Sequence, residues 1–155
     1  NVIEKNVELF KENAFRKNVA ITHQSKEVSN VYADKDMIDF VVRNLLSNAL
    51  KFTESGDSII VDVTEEEDHL KVKVKDTGIG MTEEQREALL NSSKENTSTP
   101  GTENEEGTGL GFAICKDFIN RNNGMIYIES KEGKGSTFSF TIPTNLTRDT
   151  ILRVS

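Results

Sequence analysis

The run NLLSNALKFT, residues 44–53, decides how the chain folds and where its chemistry lies. It closes a predicted helix that begins near Asp34 or Asp36 and ends at about Phe52. The apolar stripe of this helix consists of Ile38, Val42, Leu45, Ala49 and Phe52, widened by Leu46 and Leu50. Asn44, Asn48 and Lys51 share a second face, because they stand four and then three residues apart.

Two amides and one ammonium beside an apolar stripe suit a polar ligand. An amide oxygen can ligate Mg²⁺, and a lysine can neutralise a phosphate. The same residues would also fit a solvated helix face, so this pattern alone leaves both interpretations open.

A buried carboxylate is predicted at the end of the strand LKVKVKD, residues 70–76. Apolar residues alternate with lysines along this strand, and Asp76 falls on the apolar side. A carboxylate in a core is costly unless it is hydrogen-bonded. The glycines at 78 and 80 would let the backbone approach a flat ligand closely. Asp76 could therefore accept a hydrogen bond from the exocyclic amine of a base, or it could cap the turn that follows the strand.

A glycine-rich turn, GTGLG at residues 107–111, precedes a predicted helix from Leu110 to Arg121. Backbone amides at such a helix start can bind an anion. The glycine spacing differs from the dinucleotide and Walker patterns, and no lysine follows the glycines, which argues against a Rossmann fold or a P-loop. On its own the turn could be purely structural.

The order of predicted helices and strands along the chain predicts an α/β (α+β) two-layer sandwich, with a mixed β-sheet and helices on one face. Residues 91–109 carry almost no apolar side chain and cannot contribute to a core. The other predicted helices are 2–16 and 82–90, and the other predicted strands are 19–22, 58–64, 125–129 and 136–142.

Composition restricts the class of protein. The 155 residues carry a net charge of −7, which argues against a nucleic-acid partner. The one cysteine, Cys115, excludes an internal disulfide, fits a reducing cytosolic compartment, and is expected in the core. No apolar run approaches the ~20 residues of a membrane span, and no signal peptide is expected.

The three motifs occur in one order along the chain. NLLSNALKFT (44–53), DTGIGM (76–81) and GTGLGF (107–112) resemble the N box and the two glycine boxes of the GHKL superfamily of ATPases and kinases. The turn GKGSTF (133–138) is similar to that of the histidine kinase branch. The resemblance covers residues 8–143. It implies the Bergerat fold, with ATP bound between sheet and helices, a catalytic domain at 1–143 and a tail or linker at 144–155.

The resemblance also implies roles for individual residues. Asn48 would hold Mg²⁺ across the triphosphate, and Asp76 would accept from the adenine amine. Asn44, Asn48 and Lys51 form the implied catalytic set. Residues 91–109 would form the ATP lid. The implied nucleotide-binding residues are Asn48, Lys51, Phe52, Asp76, Gly78, Ile79, Gly80, Met81, Gly107, Thr108, Gly109, Leu110, Gly111 and Thr137.

One departure from the resemblance concerns the lid. The family often has a phenylalanine motif before it, whereas this chain has Leu89-Leu90-Asn91. How the lid is anchored therefore stays open.

The residue four positions before Asn48, the implied Mg²⁺ ligand, distinguishes ATP hydrolysis from phosphoryl transfer to histidine. ATPase relatives carry a glutamate there, which activates water. Here the position is Asn44, and neither it nor Arg43 can take a proton. A neutral imidazole, with a pKa near ~6.5, is already nucleophilic. The sequence therefore favours phosphoryl transfer to a histidine over hydrolysis.

The resemblance thus implies the ATP-binding catalytic domain of a two-component sensor histidine kinase. The acceptor histidine would belong to a separate helical dimerisation domain of the same full-length protein, since His23 and His69 lack the expected flanking residues. A response regulator would be an indirect partner. We expect a monomeric isolated domain in the cytoplasm and a homodimeric full-length protein, with an inner-membrane anchor left open. The alternatives are a nucleotide-binding sensor or scaffold without kinase activity, and a GHKL ATPase.

Overall fold

Four helices and five strands make up the part of the chain that the computed structural model describes, residues 1–25, 28, 30–93 and 110–144. In chain order they are α1 (Val2–Lys17), β1 (Ala20–Ser25), α2 (Lys35–Lys51), β2 (Ser58–Glu65), β3 (His69–Asp76), α3 (Glu83–Leu90), α4 (Leu110–Arg121), β4 (Ile126–Lys131) and β5 (Gly135–Pro143). None of these four helices is both long and apolar enough to cross a membrane.

The five strands form one mixed sheet in the order β1-β2-β3-β5-β4. β1 and β2 are parallel, and the other neighbouring pairs are antiparallel. The register aligns apolar residues across the sheet, and one such row contains Val61, Val74, Phe138 and Ile128. This face meets the helices, while the lysines of β3 lie on the opposite face. The predicted two-layer sandwich is confirmed.

Helix α2 lies between α1 and α4 and contributes the largest share of the helical core, with Val41, Val42, Leu45, Leu46 and Ala49 buried. Its first turn is capped by Asp34, whose carboxylate accepts from the Met37 backbone N–H at 3.0 Å. Lys17 of α1 reaches the other end and donates to the carbonyl of Leu50 at 2.6 Å. Both ends of the helix that carries the polar face are therefore fixed.

Strand β1 is longer than the sequence pattern predicts, since it continues to Ser25 rather than ending at Thr22. Its parallel register with β2 extends from Ala20 opposite Ser58 to Ser25 opposite Val63. The last three residues are polar, so the hydrophobic pattern does not reveal them, and the backbone ladder determines the end of the strand.

Cys115 occupies the core, as predicted. It is fully buried among residues of the helix layer and the sheet. Burial raises the pKa of its thiol to about 12, so the side chain stays protonated at neutral pH.

Candidate functional site

Asp76 lies at the end of β3, on the face of the sheet that meets the helices. Its carboxylate is buried, and Oδ1 accepts from the backbone N–H of Gly78 at 2.9 Å and of Ser136 at 3.3 Å. Within the described part of the chain, Oδ2 is buried and has no hydrogen-bond partner. Burial, opposed by the two N–H donors, raises the pKa of this carboxyl. Since no donor among the described residues reaches this buried acceptor atom, it is available to a ligand.

The loop after Asp76 approaches two other backbone segments closely. A side chain at Gly78 would collide with the carbonyl oxygen of Phe52, and the N–H of Ile79 donates to that oxygen at 3.1 Å. At Gly80 the backbone has φ of 68°, and a Cβ there would collide with the carbonyl of Lys131. The glycines therefore bring this loop against the end of α2 on one side and the β4–β5 turn on the other. Ile79 is half exposed, and Met81 is buried in the core.

Helix α2 presents its amides next to the start of α4. Asn48 Nδ2 donates to Asn44 Oδ1 at 3.4 Å. A Cβ on Gly111 would collide with Nδ2 of the same Asn44, so the two helices approach closely at this glycine. Because Asn48 donates through its nitrogen, its amide oxygen stays available as an acceptor, and amide oxygen is a ligand that suits Mg²⁺.

Lys51 and Phe52 lie at the C-terminal end of α2. Both are half-buried, and Lys51 Nζ is 5.5 Å from the centroid of the Phe52 ring. The Phe52 carbonyl is the acceptor for the loop after Asp76. Phe52 therefore connects the Lys51 ammonium, which lies near its ring, with the loop after Asp76, which donates a hydrogen bond to its carbonyl oxygen.

The structure does not place Thr137 with the other predicted nucleotide contacts. Asp76 pairs across the sheet with Ser136, whereas Thr137 pairs with Lys75, so the Thr137 side chain lies on the helix-free face. The residue beside the carboxylate is Ser136. The alternating sequence of β5 indicates that Ser136 lies on the buried face, because it has the same parity as the core residues Phe138 and Phe140.

Part of the predicted phosphate-binding region lies outside the described residues. Gly107, Thr108 and Gly109, and all but the first three residues of the predicted 91–109 lid, belong to this part. Of the second glycine box, Leu110 and Gly111 are described. Leu110 opens α4 and is partly exposed, and Gly111 lies against Asn44 as described above.

The C-terminal end of α3 is held without a phenylalanine motif. Leu89 and Leu90 are half-buried and pack against the core. Lys116 of α4 donates to the carbonyl oxygens of Leu90 and of Ser92, the latter at 2.7 Å. Its ammonium thus satisfies carbonyls that the helix end leaves open. Burial lowers the pKa of Lys116.

The two histidines lie far apart along the sheet register. His23 is in the middle of β1, and His69 opens β3 after the β2–β3 turn. In the described ranges no group of three or more histidine, cysteine, aspartate or glutamate residues could hold a metal ion. The amide oxygen of Asn48 remains the predicted ligand for a divalent cation.

Comparison with known proteins identifies the family. Residues 33–146 match the family described as histidine kinase-, DNA gyrase B-, and HSP90-like ATPase. The chain is 36% identical over 118 residues to the adaptive-response sensory kinase SasA of Synechococcus sp. strain JA-2-3B'a(2-13). It is 40% identical over 119 residues to the sensor histidine kinase WalK of Bacillus subtilis strain 168. These alignments cover 76% and 73% of the chain, but only 30% of SasA and 19% of WalK.

Solved structures agree with this assignment. The nucleotide-free catalytic domain of histidine kinase ThkA superposes with a TM-score of 0.75 at 28% identity, covering 92% of this chain and 90% of that domain. Full-length ShkA, solved with AMPPNP, shares the fold, with a TM-score of 0.77 at 22% identity over 94% of this chain and 30% of that protein. The chain therefore belongs to the histidine kinase-, DNA gyrase B- and HSP90-like ATPase family, as a catalytic domain of the sensor histidine kinase type.

Proposed function

We propose that this domain binds Mg-ATP between its two layers and passes the γ-phosphoryl group to a histidine on a separate helical dimerisation domain. The observation that carries the proposal is that Oδ2 of Asp76 is buried and has no hydrogen-bond partner among the residues that the structure describes. A carboxylate oxygen accepts but cannot donate, so it pairs with the exocyclic amine of adenine. The base would then lie against Gly78, Ile79, Gly80 and Met81.

The phosphate end of the nucleotide would lie along α2. Asn48 would hold Mg²⁺ through its amide oxygen, and Lys51 would face the phosphates. A bound Mg²⁺ neutralises charge that develops on the phosphate oxygens. Leu110 and Gly111 begin the helix whose N-terminal end would meet the phosphates, together with residues 107–109. The catalytic set proposed is Asn44, Asn48 and Lys51.

Asn44 favours a kinase over an ATPase. Hydrolysis needs a base that removes a proton from water. Asn44 cannot act as one, and its amide is engaged with Asn48. In transfer to histidine, the neutral imidazole nitrogen attacks the γ-phosphorus. An N–P bond forms while the bond to the β–γ bridging oxygen breaks and ADP leaves. The contribution of this domain is positioning and charge stabilisation.

The partners follow from this reaction. The acceptor domain would belong to the same full-length protein, and a response regulator would receive the phosphoryl group afterwards. We propose a cytoplasmic domain that is monomeric in isolation and that functions in a homodimeric parent protein. The domain would end at residue 143, and residues 144–155 would form a tail.

Radiolabelled ATP tests the proposal. The chain alone should bind ATP, hydrolyse it very slowly and remain unlabelled. With a helical dimerisation domain of a related kinase added in trans, that domain should acquire an acid-labile label, and tethering the two should raise the rate. Asn44→Glu is the companion variant, because it adds a carboxylate where the ATPase relatives have one, and it should raise hydrolysis only weakly.

Three results would overturn the proposal. Rapid hydrolysis by the unaltered chain alone would favour the ATPase alternative. ATP binding without label transfer, even when the acceptor domain is tethered, would favour a sensor or scaffold. A stable label on His23 or His69 would place the acceptor within this chain.

A further inference from the structure

A cavity of about 770 Å³ lies between the sheet and the helices, at the end of the sheet away from Asp76. Its sheet wall is formed by the end of β2, the start of β3 and the end of β5, and its helix wall by the starts of α1 and α2. The apolar side chains of its wall include Val63, Leu70, Val72 and Ile142 from the sheet and Ile3 and Ile38 from the helices. In the described part of the chain, the hydrophobic layer is thus left unfilled at this end.

The sheet is less completely covered at the cavity than in its middle. Val61 and Val74 are 0% exposed, whereas Val63 and Val72 are each 6% exposed and Leu70 is 7% exposed. Protein interiors are close-packed and contain few voids larger than a water molecule. Because water finds few hydrogen-bond partners in a cavity with mostly apolar walls, an apolar occupant is expected there.

Strand β5 brings the C-terminal part of the chain to this cavity. Ile142 belongs to the cavity wall, and β5 ends at the next residue, Pro143. The N–H of Thr144 donates to the carbonyl of Asp68 at 2.9 Å, so the chain leaves the sheet beside the β2–β3 turn. The residues that follow, 145–155, lie outside the described part of the chain. A segment of this length can span up to ~36 Å, which is more than enough to reach the cavity from Thr144.

Residues 145–155 match the cavity and its surroundings in chemistry. Four of them are apolar, namely Leu146, Ile151, Leu152 and Val154. With two arginines and one aspartate the segment has a net charge of +1, in a chain whose net charge is −7. Residues 65–68, at the turn beside which the segment begins, are all acidic. Opposite charges therefore favour an orientation of the segment toward this end of the sheet.

We propose that residues 145–155 dock on the cavity between the two layers, with Ile151 and Leu152 as the apolar side chains that fill it and Arg148 beside the acidic turn. The segment is attached to the chain two residues after Ile142, so its effective concentration at the cavity exceeds that of a separate partner. The cavity lies at the opposite end of the sheet from the loop after Asp76. The inference is therefore independent of the proposed binding of ATP.

The test is nuclear magnetic resonance of the methyl-labelled 155-residue chain, without nucleotide. Nuclear Overhauser contacts are measured between the methyl groups of Ile151 or Leu152 and those of Leu70 or Ile142. A mixture of labelled and unlabelled chains separates contacts within one molecule from contacts between two copies. The variant carries Ile151→Ser and Leu152→Ser together. The matched control carries Thr147→Ser and Thr150→Ser, which change the same segment without removing its large apolar side chains.

We expect contacts within one molecule in the native chain. In the Ile151→Ser, Leu152→Ser variant, the methyl signals of Leu70 and Ile142 should shift while those of Val61 and Val74 stay in place. Its melting temperature should fall by roughly 4–8 °C, because two aliphatic side chains no longer leave water on folding. The matched control should keep the native signals at the cavity and the native melting temperature.

Three results would overturn the inference. The first is the absence of any contact between the two pairs of methyl groups in the native chain. The second is a contact that arises only between molecules in the mixed sample, which would make a second copy the occupant. The third is a variant whose cavity signals and melting temperature equal those of the native chain.

Discussion

Replacing the Asp76 carboxylate with an amide should reverse what this position can recognise. In an Asp76→Asn variant, the amide oxygen can keep the two bonds from the backbone N–H groups of Gly78 and Ser136. The atom that replaces Oδ2 is then a donor instead of an acceptor. Two donors would meet when the adenine amine arrives, whereas the carbonyl of guanine would find a partner.

The size of the effect follows from the burial of the carboxylate, which is 2% exposed. A hydrogen bond to a charged group contributes about 1.5–3 kcal/mol. At about 1.4 kcal/mol per factor of ten, the variant should bind ATP roughly 10- to 100-fold more weakly. Affinity for GTP should stay unchanged or rise, so most of the preference for ATP disappears. Asp62→Asn, on β2 opposite Lys73, is a control that should leave both affinities unchanged.

The Asp76→Asn substitution should weaken ATP binding but stabilise the folded chain in the absence of ligand. Burial raises the pKa of the folded Asp76 carboxyl above its ordinary value of 3.8, so its ionised form destabilises the folded chain. This cost is absent below the ordinary pKa and is complete above the raised pKa. The Asp76→Asn chain without ligand should therefore gain stability relative to the native chain as the pH rises through this window.

Calorimetric titrations with ATP and GTP, and urea unfolding at several pH values, measure the two effects. An unchanged ratio of ATP to GTP affinities would refute the role of Asp76 in base recognition. A variant that is less stable than the native chain at neutral pH, by an amount that grows as the pH rises, would refute the assignment of a destabilising buried charge.

Three further substitutions test the surroundings of the site. Asn48→Ala should weaken Mg-ATP binding far more than metal-free ATP binding in calorimetry, and equal losses would remove the metal role of Asn48. Gly111→Ala should displace the Asn44 amide and weaken Mg-ATP binding several-fold, as measured by calorimetry; the loss should vanish in an Asn44→Ala background, and a loss that persists there would exclude Asn44 as the cause. Gly78→Ala should destabilise the chain by about 1–3 kcal/mol in urea unfolding, because its Cβ would meet the rigid carbonyl of Phe52, and unchanged stability would mean that the loop can move away freely.

Most of the fold could be predicted because hydrophobic periodicity and local capping agree. The run from Lys35 to Lys51 repeats apolar residues at helical spacing, and Asp34 caps it as one of two predicted candidates. The alternating run of β3 specified which face is buried, and Asp76 followed the same parity into the core. These features depend on residues that are close in sequence.

What the sequence did not reveal depends on pairing between distant strands. The end of β1 is fixed by its ladder with β2, and its polar residues carry no signal of it. The alternation of β5 indicates that Ser136 rather than Thr137 is on the buried face, but only the register between β3 and β5 places Ser136 opposite Asp76. The capping of α3 by Lys116 joins residues 26 positions apart, so no local pattern predicts it.

The most direct test of the proposed nucleotide site is a titration of the isotopically labelled, unaltered chain with Mg-ATP, followed by the backbone amide signals. We predict that the largest shifts occur at Gly78 and Gly80 in the loop after Asp76, and at Gly111 at the start of α4. The amides of the β2–β3 turn at residues 66–68 should not respond. Absent shifts, or shifts concentrated away from these three glycines, would contradict a nucleotide site between the two layers.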